Sequence, residues 1–324
     1  MLAVVATRAG GPDVLEVAEV ETPRPSAGEV LVKVAAAGVN RADLLQRRGH
    51  YPPPPGASPI IGLECSGEVV EVGEGVRGWE VGDACVALLA GGGYAEFVAA
   101  PAGQVIEPPS GLDRTTAAGL VEVAATVASN MGEAKLAAGD YFLVHGGSGG
   151  IGSFAIQYAK ARGALVVATA GTEDKLEYCR SIGADLAVSY RGDWTDAVRD
   201  FCSGHGLDVI LDSMGAKYLQ PHLELLATGG RLVVIGLQGG AKGELDLARL
   251  LAKRGRIIAT TLRARPVAEK AEICELVVAS AWPLITTGAI VPAPQTVLPL
   301  HQAAEAHRLL ESGENLGKII LTTP

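Results

Sequence analysis

Three glycines, Gly147, Gly149 and Gly152, stand at the spacing G-x-G-x-x-G within His145-Gly146-Gly147-Ser148-Gly149-Gly150-Ile151-Gly152. The apolar run Tyr141-Phe142-Leu143-Val144 leads in and a helix-like stretch over 153–162 leads out, so the loop joins strand to helix as a dinucleotide fingerprint requires. The first glycine is expected to permit a tight turn, the second to let backbone approach a diphosphate, and the third to let helix pack on strand. A diphosphate lying along 147–152 would meet free N–H groups at the helix start, where the helix dipole also favours negative charge.

The next candidate residues decide which nucleotide fits. An NAD-type site places Asp or Glu about twenty residues after the glycines, to accept from the ribose hydroxyls. Here Thr169-Ala170-Gly171-Thr172 occupies that strand end, and no carboxylate follows until Glu173. Without that repulsion a 2′-phosphate is admissible, and three donors stand near it: the Thr172 hydroxyl, the Lys175 ammonium and Tyr190. NADPH is the cofactor expected.

Elements that would position these residues follow from periodicity. Short apolar segments at 165–169, 186–189, 208–211, 231–235 and 256–261 read as buried strands. Helical patterns at 173–182, 194–202, 216–226 and 246–252 separate them, the signature of a parallel, doubly wound sheet. The fold class is therefore α/β, with a six-stranded nucleotide-binding sheet over 127–262. Residues 1–126 alternate like half-buried strands at 14–20, 30–36, 68–72 and 94–99, between turns rich in Gly and Pro, and predict a strand-rich, partly barrelled unit. The tail, 263–324, offers a helical stretch over 267–287, a helix over 303–312 and a strand over 318–321. Those are too few for a core of their own, so they are expected to complete the first unit, with the active site in the cleft between the two.

Composition narrows the classes. Lys plus Arg total 27 against 36 for Asp plus Glu, a formal charge of −9, which argues against a nucleic-acid surface. No apolar run approaches the ~18 residues of a membrane-spanning helix, and the first residues are too short a run for a signal-peptide core. Five scattered cysteines, Cys65, Cys85, Cys179, Cys202 and Cys274, contain no C-x-x-C pair and read as buried small residues in a reducing cytoplasm.

Gly38-Val39-Asn40-Arg41-Ala42-Asp43, Gly62-Leu63-Glu64-Cys65-Ser66-Gly67, Gly67-Glu68-Val69-Val70-Glu71-Val72-Gly73 and Gly82-Asp83 occur in order ahead of the glycine loop. In this the chain resembles the medium-chain dehydrogenase/reductase superfamily, and within it the zinc-free quinone oxidoreductase (zeta-crystallin-like) family. Asn40–Arg47, Tyr51-Pro52-Pro53-Pro54-Pro55-Gly56 and Asn315-Leu316-Gly317-Lys318-Ile319 resemble the tumour-suppressor-inducible branch. The resemblance implies a GroES-like catalytic unit, a homodimer, NADPH, and hydride transfer to quinones. It places Thr126, Gly236-Leu237-Gln238 and Leu262-Arg263 near the nicotinamide and its phosphate, and Asn315 and Lys318 in a tail motif that closes over the cofactor. Zinc-dependent relatives carry Cys where this chain has Asn40 and His where it has Leu63. An amide and an alkyl chain cannot replace those ligands, so no metal is expected.

Quinones are already electron-poor, and a hydride needs mainly positioning over them. Tyr51, on a loop stiffened by four prolines, is the candidate hydrogen-bond donor to the developing phenolate. Asn40 is the candidate for orienting substrate or nicotinamide, and Asp43 is read as structural. Three other readings remain: a zinc-free enoyl or enone reductase, an α/β-hydrolase with Ser148 as nucleophile and an Asp212–His301 or Asp212–His307 relay, and a non-catalytic NADPH-binding protein. The histidines other than His50 show no ligand-like spacing.

Overall fold

A computed structural model describes residues Met1–Pro324. The strands and helices of the first part are β1 (Leu2–Ala6), β2 (Leu15–Glu19), β3 (Glu29–Val39), α1 (Arg41–Arg47), β4 (Glu64–Val72), β5 (Ala84–Leu88), β6 (Phe97–Pro101), β7 (Val105–Ile106), α2 (Arg114–Ala117) and α3 (Val121–Glu133). Next come β8 (Tyr141–His145), α4 (Gly150–Ala161), β9 (Leu165–Ala170), α5 (Glu173–Ser181), β10 (Leu186–Ser189), α6 (Trp194–Phe201), β11 (Leu207–Asp212), α7 (Leu219–Leu225), β12 (Leu226–Val234), α8 (Leu247–Ala252) and β13 (Arg256–Ala259). The chain finishes through α9 (Val267–Ser280), α10 (Trp282–Thr286), β14 (Gln295–Pro299), α11 (Ala303–Ser312) and β15 (Lys318–Thr322).

Two compact units result. The nucleotide unit comprises Thr126–Thr261 and Thr287–Val291. Its six strands run parallel in the order β10-β9-β8-β11-β12-β13. Central strands of such a sheet are covered on both faces, which is why β8 and β9 read as unbroken apolar runs; Phe142, Leu143, Val166 and Val167 are 0% exposed. Residues 287–291 group with this unit because the Gln157 side chain bonds both ways with Val291, donating to its carbonyl at 3.0 Å and accepting from its N–H at 2.8 Å.

The other unit comprises Met1–Ala125, Leu262–Thr286 and Pro292–Pro324. Its seven-stranded sheet follows the order β14-β15-β3-β4-β5-β7, with β6 also pairing β3. The long β3 carries β6 on Glu29–Lys33 and β15 on Ala36–Val39, while β4 runs along it with register shifts at Leu31/Val32 and Val34/Ala36. Bulges of this kind bend and twist a strand, and here they curl the sheet.

Two expectations need correction. The segment 216–226 is not one α-helix: a 3-10 turn over Gly215–Tyr218 precedes α7, and β12 starts at Leu226, five residues ahead of the expected 231. Leu207 pairs with Leu226 but Val209 with Arg231, so the strand bulges through Ala227-Thr228-Gly229-Gly230, whose polar and flexible residues read as loop. The stretch 267–287 breaks at Ala281 because Pro283, lacking an N–H, fits the first turn of a new helix but not the interior of a long one.

Candidate active site

The glycine loop is built from close approaches. Gly146, not Gly147, takes the left-handed conformation (φ +67°) that makes the turn. A Cβ on Gly147 would lie 2.7 Å from Cys179 Sγ and 2.9 Å from Ala168 Cβ, so this glycine lets the loop settle onto β9 and α5. A Cβ on Gly152 would lie 2.2 Å from the Gly146 carbonyl oxygen, the close helix packing expected of the third glycine. At Gly149 the nearest atom to such a Cβ is 3.5 Å away, which leaves that face open to a ligand. Gly149 is the N-cap of α4 with no side chain capping it. The N–H groups of Gly150, Ile151 and Gly152 belong to the first turn, which no helix can satisfy internally. Together with the dipole, these residues fit a dinucleotide's diphosphate. Ser148 lies in the loop, 7% exposed.

At the end of β9, Thr172 is the exposed N-cap of α5, with no side-chain cap bond, and Lys175 sits half-buried in the first turn. Tyr190, just beyond β10, donates its backbone N–H to the Ala170 carbonyl at 3.2 Å and is 44% exposed. Its hydroxyl lies over Gly171, where a Cβ would come within 2.4 Å of it. Gly171 was not singled out from the sequence, yet it is what allows the tyrosine to stand there. The first carboxylate beyond the strand, Glu173, accepts from Arg180 at 2.8 Å. The loop after β12 packs Gly236 against the Ser213 backbone, while Leu237 is 56% exposed; Thr126 is buried, its carbonyl accepting from Asn130 at 2.7 Å.

In the other unit, Asn40 caps α1. Its N–H donates to Asp43 Oδ2 at 2.7 Å, its side-chain amide donates to Glu64 Oε1 at 2.9 Å, and its amide oxygen accepts from Lys318 Nζ at 2.7 Å. Lys318 also donates to Glu64 Oε1 at 2.7 Å, and Glu64 Oε2 accepts from the Glu122 N–H at 3.0 Å. Lys318, expected beside the cofactor, therefore holds a buried ion pair and fixes the Asn40 amide. Asn315 donates to the Gly317 carbonyl at 3.2 Å.

Arg263 is 4% exposed and ties the Tyr51 loop to α1 and to the stretch after β5. Its guanidinium donates to the carbonyls of Ala90 (2.7 Å) and Tyr51 (3.0 Å) and to Gln46 Oε1 (2.7 Å), and it lies 5.2 Å from the centre of the Tyr51 ring. Leu262, beside it, is half-buried. Both are expected near the cofactor from the sequence; the guanidinium donors of Arg263 go to Ala90, Tyr51 and Gln46.

Beneath α1 lies a network the sequence did not disclose. Arg47 donates to His307 Nδ1 at 3.2 Å and pairs with Glu311. With Nδ1 accepting, His307 Nε2 carries the hydrogen and donates to Tyr94 Oη at 3.2 Å, and Tyr94 donates to Asp43 Oδ2 at 3.0 Å. Burial pushes the Asp43 carboxyl up to about 6 against the pull of these donors, and burial pushes the His307 imidazole down to about 3. His307, committed here, is no triad partner for Ser148, and β8 has no earlier strand in its sheet; the hydrolase arrangement is not formed.

Neither donor set nor charge at Asn40 fits a catalytic zinc. The amide oxygen already accepts from an ammonium, which would repel a second cation, and Leu63 is 4% exposed and wholly apolar. No helix is long and apolar enough to cross a membrane.

Residues 26–110 match the family described as alcohol dehydrogenase GroES-like domain, and residues 150–278 the family described as zinc-binding dehydrogenase. A quinone oxidoreductase of Rattus norvegicus is 31% identical over 96% of this chain and 94% of its own length, and a 2-haloacrylate reductase of a Burkholderia species 31% identical over 99% and 98%. A phenolphthiocerol/phthiocerol polyketide synthase subunit of Mycobacterium tuberculosis is 33% identical over 96% of this chain, which spans only 14% of that relative's length. Among solved structures, Escherichia coli quinone oxidoreductase complexed with NADPH superposes with a TM-score of 0.88 at 28% identity, covering 99% of this chain and 100% of that one. An NAD-dependent alcohol dehydrogenase gives 0.86 at 32% identity over 100% of both chains. With its six-stranded parallel sheet, its seven-stranded sheet, its glycine loop and whole-length relatives above 30% identity, the chain belongs to the medium-chain dehydrogenase/reductase superfamily of nicotinamide-dependent oxidoreductases.

Proposed function

We propose that this protein is an NADPH-dependent reductase of small electrophiles, with quinones as the acceptors and no metal in the reaction. The observation that carries the reading is a diphosphate cradle at 147–152 beside a β9 end, Thr169-Ala170-Gly171-Thr172, that carries no carboxylate, where Thr172, Lys175 and Tyr190 stand as donors. NADPH bound there supplies a hydride. The protein's part is to hold the dinucleotide through the α4 N–H groups, to fix the Asn40 amide through Lys318 and Glu64, and to present the Tyr51 side chain from a braced loop. The Tyr51 hydroxyl donates a hydrogen bond to the acceptor oxygen as negative charge develops on it, and water supplies the last proton.

A second reading, reduction of a double bond conjugated to a carbonyl or carboxylate, is favoured by the whole-length likeness to a 2-haloacrylate reductase. The same hydride and donor would serve it. A panel of ortho- and para-quinones and enones, each with NADPH and NADH, tests both. Oxidation of NADPH by quinones in the presence of a chelator is expected; turnover with enones alone selects the second reading, and turnover with neither overturns both. Lys175→Ala should raise the KM for NADPH about tenfold, the worth of one charge-assisted contact, with little change for NADH. Equal effects on the two would remove the phosphate assignment.

The working form is proposed to be a homodimer joined through β13. That strand pairs only with β12 and is largely exposed, and Leu247 (68%), Leu251 (78%) and Ile257 (37%) leave apolar surface beside it. Open edges of this kind invite pairing.

A further inference from the structure

At the carboxyl ends of the adjacent strands β8 and β11 stand His145 and Asp212, and α7 brings His222 onto both. The three are buried, 6%, 1% and 0% exposed, and their ligand atoms all lie within 4.8 Å of one another. They are 67 and 10 residues apart along the chain, so no spacing rule could have found them.

Hydrogen bonding alone does not satisfy this cluster. His145 Nε2 and His222 Nε2 face each other at 2.7 Å, so one must carry the hydrogen and the other accept it. If His145 donates, His222 must carry its hydrogen on Nδ1, which has no partner. If His222 donates, its Nδ1 is a bare lone pair, aimed at Asp212 Oδ2 across 3.9 Å. In either tautomer a fully buried nitrogen is orphaned, at a cost of about 1–3 kcal/mol.

We propose that His145, His222 and Asp212 bind a divalent transition ion of the zinc class, in a site separate from the nicotinamide chemistry. Two imidazoles and a carboxylate are a donor set suited to such ions. Tetrahedral ligands about 2.05 Å from zinc are about 3.3 Å apart. His222 Nε2 lies 2.7 Å from His145 Nε2 and His222 Nδ1 lies 3.9 Å from Asp212 Oδ2, distances that fall on either side of that spacing. The surroundings are those of ligands already oriented. His145 Nδ1 lies 3.0 Å from Thr169 Oγ1, the outer partner that a histidine coordinating through Nε2 requires. Asp212 accepts the N–H groups of Met214 (2.7 Å) and Gly215 (2.9 Å), which hold its carboxylate in place. Trp194 and Tyr218 wall the cluster, their ring centres 5.2 and 4.8 Å from that of His145. The ion would clamp β8, β11 and α7 together without entering the hydride transfer.

The test uses the full chain, stripped of metal and free of NADPH and quinone, so its outcome is separable from that of the proposed reaction. Titration with Co(II) is expected to give one ion per chain, d–d bands of a nitrogen–oxygen site with no thiolate charge-transfer band, and displacement by Zn(II). Thr169→Val, which removes only the outer partner, should weaken Co(II) binding about 10- to 100-fold, and His222→Asn should abolish it. Should either variant fail to fold, pulsed EPR of the wild-type protein loaded with Cu(II) decides alone, with two coordinated imidazoles expected. No stoichiometric ion, a spectrum unchanged by His222→Asn, or fewer than two imidazoles overturns the proposal.

Discussion

Three nitrogens of Arg263 donate to three acceptors on separate stretches of chain, and its cationic plane covers the Tyr51 ring. A lysine keeps the charge but has neither the fork nor the plane. Arg263→Lys should therefore lower kcat with quinones by about the same factor as Tyr51→Phe, at least tenfold, while the KM for NADPH stays put. An unchanged rate in Tyr51→Phe would make the ring a packing element and Arg263 its scaffold. A different prediction concerns Asp43. Both of its donors, the Asn40 N–H and the Tyr94 hydroxyl, reach the same oxygen, and Oδ1 is buried without a partner. Its carboxyl is raised from 3.8 to about 6, chiefly by burial, with Glu64 adding to the rise and Lys318 opposing it. The folded protein thus holds this proton more tightly than the unfolded chain does. Its contribution to stability falls as pH rises from about 4 to about 6 and then stays constant, by up to about 3 kcal/mol. Asp43→Asn preserves both hydrogen bonds and has no proton to lose. The variant's stability relative to wild type, from urea unfolding, should rise across that window and level off above it; a flat difference would mean the carboxyl is not perturbed.

Among elements, the glycine loop offers a paired test. Gly152→Ala forces a Cβ onto the Gly146 carbonyl and should destabilise the nucleotide unit by about 1–3 kcal/mol or more, seen as a lower Tm. Gly149→Ala makes only an ordinary contact, 3.5 Å from the Gly146 carbonyl oxygen, so its Tm should hold while NADPH affinity drops. The sequence disclosed this loop well, because glycine spacing, an apolar lead-in and a following helix are all local. It disclosed β8 and β9 for a related reason: central strands covered on both faces are apolar along nearly their whole length. The start of β12 escaped because its bulge is made of residues that elsewhere make turns. The Asn40 cluster escaped in part for another reason. Glu64 lies in the part of β4 ahead of the expected 68–72, and its counter-charge on Lys318 lies 254 residues on, so nothing local links the two. The same holds for the Arg47 network, closed by His307 and Glu311 from α11.

For the whole molecule, the proposed pairing through β13 predicts a dimer by sedimentation at micromolar concentration. Ile257→Lys places a charge in the strand that would face its own copy, and should shift the protein to monomer with its Tm little changed. A monomeric wild type would remove the pairing. The division of the chain into interrupted units has a further outcome during biosynthesis. The nucleotide unit draws nearly all its residues from one contiguous stretch, 126–261, and can collapse as soon as that stretch leaves the ribosome. The other unit cannot. The end of β3 waits for β15 to cover it, and the Glu64 carboxylate, fully enclosed in the finished fold, has no ammonium beside it until residue 318 has been made. The half that emerges first is thus the half that matures last, and its early strands must be shielded from wrong partners for as long as the translation of the other half takes.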